Sequence, residues 1–288
     1  MGQARQKSAV PHARWVFLFR SQVGGIIQTR TAARWPVMGN PPLHGPYFEE
    51  LDYRPTPIGV LSLRRRRELS LDVDVFEIKL GEEYLMSSLF TASEIALARL
   101  GLAELSGADL EVVVGGLGLG YTAQAVLEHE AVKSLVIVEA LDAVIDWHEK
   151  GVLPLGPALT ADPRSRFVLG DFFALAASKT GFDPHAPARR FDAILVDIDH
   201  SPDLLLDPQN AAFYHPTGLQ RVAAHLLPDG VFGLWSNDAP DEAFTQRLTA
   251  VFAEARAERV TFHNPLQDKP FTQTVYLATK AVEHSPVD

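Results

Sequence analysis

The chain has 288 residues, 47% of them hydrophobic and 22% charged, with a formal net charge of −10 and no cysteine. This composition excludes wholesale disorder. The missing cysteine excludes disulfide scaffolds, thiolate metal sites and cysteine nucleophiles.

Charge is unevenly spread. Residues 1–48 carry six basic residues and no acid, so the rest of the chain is strongly acidic. An acidic body argues against a nucleic-acid partner and suits a cationic small molecule. The apolar runs are too short to span a bilayer, so no membrane partner is expected. The ten histidines are scattered without an HExxH pattern, and no metal site is expected. A cysteine-free chain fits a reducing, cytoplasmic setting.

Residues 1–47 are rich in Arg, Pro and Gly and show no period. They read as a disordered tail or the product of an upstream start site, and also resemble a transit peptide. Residues 48–90 read as a small β-region. Leu69, Leu71, Val73 and Val75 alternate with polar residues, then Phe76, Ile78 and Leu80 alternate in the opposite phase, which predicts a bulge. The run Arg64–Arg67 reads as a solvated hairpin connection. Thr91-Ala-Ser-Glu94 matches a capping box and predicts a helix over 92–104.

Residues 91–288 read as a nucleoside-binding α/β domain. Apolar strands at 112–114, 135–138, 167–169, 193–196 and 231–235 alternate with helical spacings. Two further strands, near 258–263 and 272–279, have no helix between them and are expected to pair antiparallel. The fold class is therefore α/β, a Rossmann-like doubly wound sheet with its last strand antiparallel.

Ligands of such sheets bind at the carboxyl ends of the strands. Here those ends carry the glycine loop Gly115-Gly116-Leu117-Gly118-Leu119-Gly120, then Glu139, Asp171, Asp197 and Trp235. Glycines let the backbone turn sharply and approach a ligand, and a helix N-terminus follows. No Walker lysine is present. Glu139, 19 residues after Gly120, is placed to accept ribose hydroxyls. Asp171 reads as an adenine partner or a helix N-cap. Asp197, Asp199 and Asp203 crowd one strand end, where carboxylates can hold a cationic amine and take its proton. Tyr84, Tyr214 and Trp235 are candidates for the pocket wall.

At these residues the sequence resembles the spermidine synthase family, built on the class I S-adenosylmethionine-dependent methyltransferase fold, over roughly residues 55–280. The resemblance implies that Gly115, Gly116, Gly118 and Gly120 face the donor, with Glu139 on its ribose and Asp171 on its adenine. Asp197 and Asp199 become the catalytic and amine-binding acids, bordered by Tyr214. The family moves an aminopropyl group from decarboxylated S-adenosylmethionine to an amine such as putrescine. A diverged member using intact S-adenosylmethionine as a methyl donor, or a non-catalytic nucleoside-binding homologue, is the alternative. The family's loop, GGGDGG, carries an acid that meets the aminopropyl ammonium, and Leu117-Gly118-Leu119 supplies none. Where the family carries a Tyr-His/Gln-Glu segment, the resemblance places Met86-Ser87-Ser88. The edge β-region suits a homodimer.

Overall fold

A computed structural model describes residues 44–282 except 46 and 57. The tail read over 1–47 lies, apart from three residues, outside the described residues.

Five strands form an antiparallel sheet in chain order: β1 (His44–Gly45), β2 (Phe48–Thr56), β3 (Gly59–Glu68), β4 (Val73–Leu80) and β5 (Glu83–Ser87). Its inner face buries Leu61, Leu63 and Ile78, while Val75 is buried on the opposite face. Two expectations are corrected here. Leu69 and Leu71 lie in the turn between β3 and β4, with Leu69 exposed and Asp72 at positive φ. The pairing irregularity falls at Ile78/Lys79 against β5, and the β3–β4 ladder runs through Val75 and Phe76 unbroken.

Arg64–Arg67 is strand, not connection. Register brings acids to it from both sides and within its own strand. Arg64 and Arg66 bind the buried Glu77, Arg65 binds Glu49, Arg66 also binds Glu68, and Arg67 binds Asp72 and Asp74. Four arginines in a strand are tolerable because each meets a carboxylate.

Helix α1 (Ala92–Ala103) then leads into a seven-stranded sheet. Its elements are β6 (Leu110–Gly115), α2 (Tyr121–Leu127), β7 (Val132–Glu139), α3 (Asp142–Glu149), α4 (Gly156–Ala161), β8 (Ser165–Leu169), α5 (Phe172–Ala177), β9 (Phe191–Val196), α6 (Pro216–Ala223), β10 (Leu226–Ser236), α7 (Glu242–Thr249), β11 (Glu254–Asn264) and β12 (Lys269–Thr279). The strand order is β11-β12-β10-β9-β6-β7-β8. β12 runs antiparallel between β10 and β11, as the missing helix before it predicts.

Both faces are covered, so the central strands carry continuous apolar runs at 112–114, 135–138 and 193–196. Val112, Val114, Leu135, Ile137, Ala193 and Leu195 enter the core with α1–α4. Val113, Val136, Val138, Ile194 and Val196 enter the core with α5–α7. β10 begins earlier than its apolar run: Leu226 pairs with Phe191, then Pro228-Asp229-Gly230 bulges out, with Asp229 at φ 59°, before Val231 resumes on Ala193. The order reverses between β6 and β9, the kind of place where open α/β sheets hold ligands at the carboxyl ends of their strands.

Candidate active site

The glycine loop joins β6 to α2. Gly116 has φ +91°, and a Cβ there would lie 2.1 Å from the Asp197 carbonyl oxygen. Only glycine lets the two neighbouring strand ends close on each other, and Asp197 N–H donates to Gly115 O at 2.8 Å. At Gly118 a Cβ would meet Met86 Sδ at 2.6 Å, since Met86 of β5 packs onto the loop. Leu117 and Leu119 are buried. His148 of α3 hydrogen-bonds Gly118 O through Nε2 at 2.9 Å and tethers the loop from behind.

Glu139 ends β7. Its Oε2 accepts from Leu117 N–H at 3.0 Å and its Oε1 from Leu141 N–H at 2.9 Å. Burial pushes its carboxyl up, and these backbone donors oppose the push. The backbone of Gly118 and Ala140 acts on it in the same sense, and a carboxylate, which only accepts hydrogen bonds, is the kind of group that fits ribose hydroxyls. Asp171 caps α5, its Oδ1 accepting from Phe173 and Ala174 N–H at 2.8 and 3.2 Å. The N-cap reading of Asp171 thus holds in the structure.

The three acids after β9 part company. Asp197 Oδ2 accepts from Thr122 Oγ1 of α2 at 2.7 Å. Asp199, 3% exposed, accepts from Leu206 N–H and Tyr214 O–H, both at 2.7 Å. Asp203 is exposed near Arg247. Asp199 and Tyr214, both expected at the amine site, are bonded to each other, which satisfies a buried carboxylate that would be costly if left without a partner. Tyr84 lies on the small sheet, its hydroxyl bonded to Arg64 and its ring beneath Arg64 and Lys79.

A second carboxyl, missed in the sequence, lies beside Asp197. Glu94 is 7% exposed on the first turn of α1. It makes no capping box: Thr91 caps nothing with its side chain. Glu94 Oε2 is 2.8 Å from Ser93 Oγ, which is 2.6 Å from Gln273 Oε1 and accepts from Trp235 Nε1 at 2.8 Å. Trp235 thus touches the site through Ser93. Burial and the nearby Asp197 push Glu94 up to about 8. Burial lifts Asp197 to about 6, opposed by the Thr122 hydroxyl. Neither acid forms an ion pair among the described residues, which also hold no cluster of candidate metal ligands.

No family model matches the chain. Putrescine N-methyltransferase 2 of Nicotiana attenuata and putrescine N-methyltransferase 3 of Nicotiana tabacum are each 30% identical to it over 135 residues, 47% of this chain. The match covers 33% and 32% of those proteins, so the chain spans about a third of the length of these relatives. A spermidine synthase solved in complex with the transition state analogue AdoDATO superposes with a TM-score of 0.61 at 18% identity, over 81% of this chain and 74% of that one. The Thermotoga maritima spermidine synthase gives 0.60 at 18%, with the same coverage of each chain. The chain thus has the methyltransferase-like fold of the spermidine synthases, and the resemblance seen in its motifs recurs in its architecture.

Proposed function

We propose that this protein is a transferase that alkylates a small amine at the expense of an S-adenosyl sulfonium. The observation that carries the reading is the half-buried Asp197 at the switch point, without an ion pair among the described residues, against the glycine loop and separated from Glu139 by β6.

In this reading Glu139 holds the ribose hydroxyls, Asp171 the adenine edge, and the Gly116–Gly118 backbone lies along the donor. A bound sulfonium supplies an electrophilic carbon and a neutral thioether leaving group. Asp197 binds the acceptor's ammonium and takes one proton from it, freeing the nitrogen lone pair. Raised to about 6, Asp197 is ionised at neutral pH yet a stronger base than an ordinary aspartate. The nitrogen then forms its bond to carbon as the carbon–sulfur bond breaks, the pair going to sulfur. Holding both partners in line supplies much of the rate.

The spermidine-synthase fold supports aminopropyl transfer. The loop favours methyl transfer from the intact donor. Gly118 offers no acid to an aminopropyl ammonium, and Met86 occupies the space its side chain would need. The second observation bears directly on the donor, so methyl transfer is the favoured form. A homodimer and a cytoplasmic setting remain part of the proposal; no helix among the described residues is long and apolar enough to cross a membrane.

The test is mass spectrometry of the purified protein incubated with putrescine and each donor in turn. S-adenosylhomocysteine and a methylated amine support methyl transfer. Methylthioadenosine and a lengthened polyamine support aminopropyl transfer. Absence of both overturns the proposal.

A further inference from the structure

The Ser93 hydroxyl has one hydrogen and two oxygens that need it. Gln273 Nε2 donates to Asn237 Oδ1 at 3.0 Å, so its Oε1 faces Ser93 at 2.6 Å. That contact between two oxygens requires a hydrogen, and only Ser93 can provide it. Trp235 Nε1 takes one lone pair of Ser93 Oγ. The remaining contact, Glu94 Oε2 to Ser93 Oγ at 2.8 Å, then needs a hydrogen from Glu94 itself.

We propose that Glu94 is a neutral carboxylic acid in the resting site, donating its hydrogen to Ser93 Oγ, and that it forms with Asp197 a pair holding one proton and one negative charge. The proposal deepens the amine reading and rests on it for its consequence: the pocket admits one ammonium at this end, and Glu94 acts as a positioning residue that keeps Asp197 from being driven to a still higher pKa.

The surroundings agree. The titratable groups acting on Glu94 are Asp197 from the end of β9 and Tyr121 from the start of α2. Of the cations on neighbouring elements, Arg99 of α1 pairs with Glu128, Arg256 of β11 pairs with Glu104 and Glu258, and Arg259 of β11 is exposed to solvent. Thr122 Oγ1 lies 2.7 Å from Asp197 Oδ2 and 3.3 Å from the Glu94 backbone oxygen, so the shorter bond goes to Asp197 and favours its ionised form. Two neighbouring carboxyls without a cation hold one proton between them, since both cannot ionise cheaply.

The test is a carbon-13 NMR titration of the side-chain carboxyls in the full chain, assigned through bonds, with Asp197→Asn and Glu94→Gln alongside. The Glu94 carboxyl is expected to titrate above pH 7, and at least one pH unit lower in Asp197→Asn. A Glu94 midpoint below 6, or one indifferent to Asp197→Asn, overturns the pair. Glu94→Gln, which keeps a donor toward Ser93, is expected to change the pH dependence of the putrescine KM: its ratio to wild type shifts at least threefold between pH 7 and 9. A constant ratio overturns the charge-setting role. The NMR midpoint needs no substrate, so a high midpoint in a protein that binds neither donor supports the pair and overturns the amine reading.

Discussion

Thr122 Oγ1 donates to Asp197 Oδ2 at 2.7 Å and so joins the first turn of α2 to the end of β9. The bond favours the ionised carboxylate and works against the burial that raises Asp197 to about 6. Thr122→Val removes the donor while keeping the shape. The acid limb of the pH–rate profile is expected to move upward from near 6, with activity at pH 7 falling. A profile unchanged between variant and wild type would detach Asp197 from the limb.

Asp197→Asn removes the proton acceptor and keeps the volume. Turnover is expected to vanish while donor affinity stays within about tenfold, ~1.4 kcal/mol. Retained turnover means that another group takes the proton.

Glu139→Ala is expected to weaken donor binding by roughly 1–3 kcal/mol, the scale of a lost hydrogen bond to a charged group. Because Glu139 also holds the Leu117 and Leu141 N–H groups, thermal stability should fall as well. A stability loss with unchanged affinity would leave Glu139 as a loop anchor alone.

Gly118→Asp combined with Met86→Ala restores an acid and removes the Met86 Sδ that would otherwise lie 2.6 Å from the new Cβ. Aspartate tolerates the φ of +48° there better than most residues. The preference between donors, measured by calorimetry, should move at least about tenfold toward the decarboxylated one, since the acid meets its ammonium. No shift would separate this position from donor choice.

Glu94 also carries a stability signature. Its folded pKa is raised to about 8 from an ordinary value of 4.5. A raised carboxyl contributes stability that is fully present below 4.5 and lost as pH rises through 8. Between those limits wild type should lose up to about 1.4 kcal/mol per pH unit relative to Glu94→Gln. Urea denaturation of both proteins at pH 5, 7 and 9 checks this, and a constant difference contradicts it.

The central strands are legible in the sequence because both faces of the sheet are covered, which writes short continuous apolar runs at 112–114, 135–138 and 193–196. The glycine loop and the acids at the strand ends are legible because topology alone puts them in one crevice. Glu94 is not. Thr91 and Glu94 have the spacing of a capping box, and what engages Glu94 instead is Ser93, itself tied to Gln273, 180 residues further along the chain. Arg64–Arg67 eludes a local reading for the same reason: its neutralising acids come largely from strands β2 and β4, whose register no local pattern announces. Asp199 and Asp197 look equivalent in sequence, and only the Tyr214 hydroxyl and the Leu206 amide tell them apart.

The most direct measurement is a calorimetric titration of the purified protein with S-adenosylmethionine and, separately, with its decarboxylated form. The account predicts saturable binding of the intact donor, at least tenfold tighter than the decarboxylated one and weakened by Glu139→Ala. No heat of binding with either donor would contradict it.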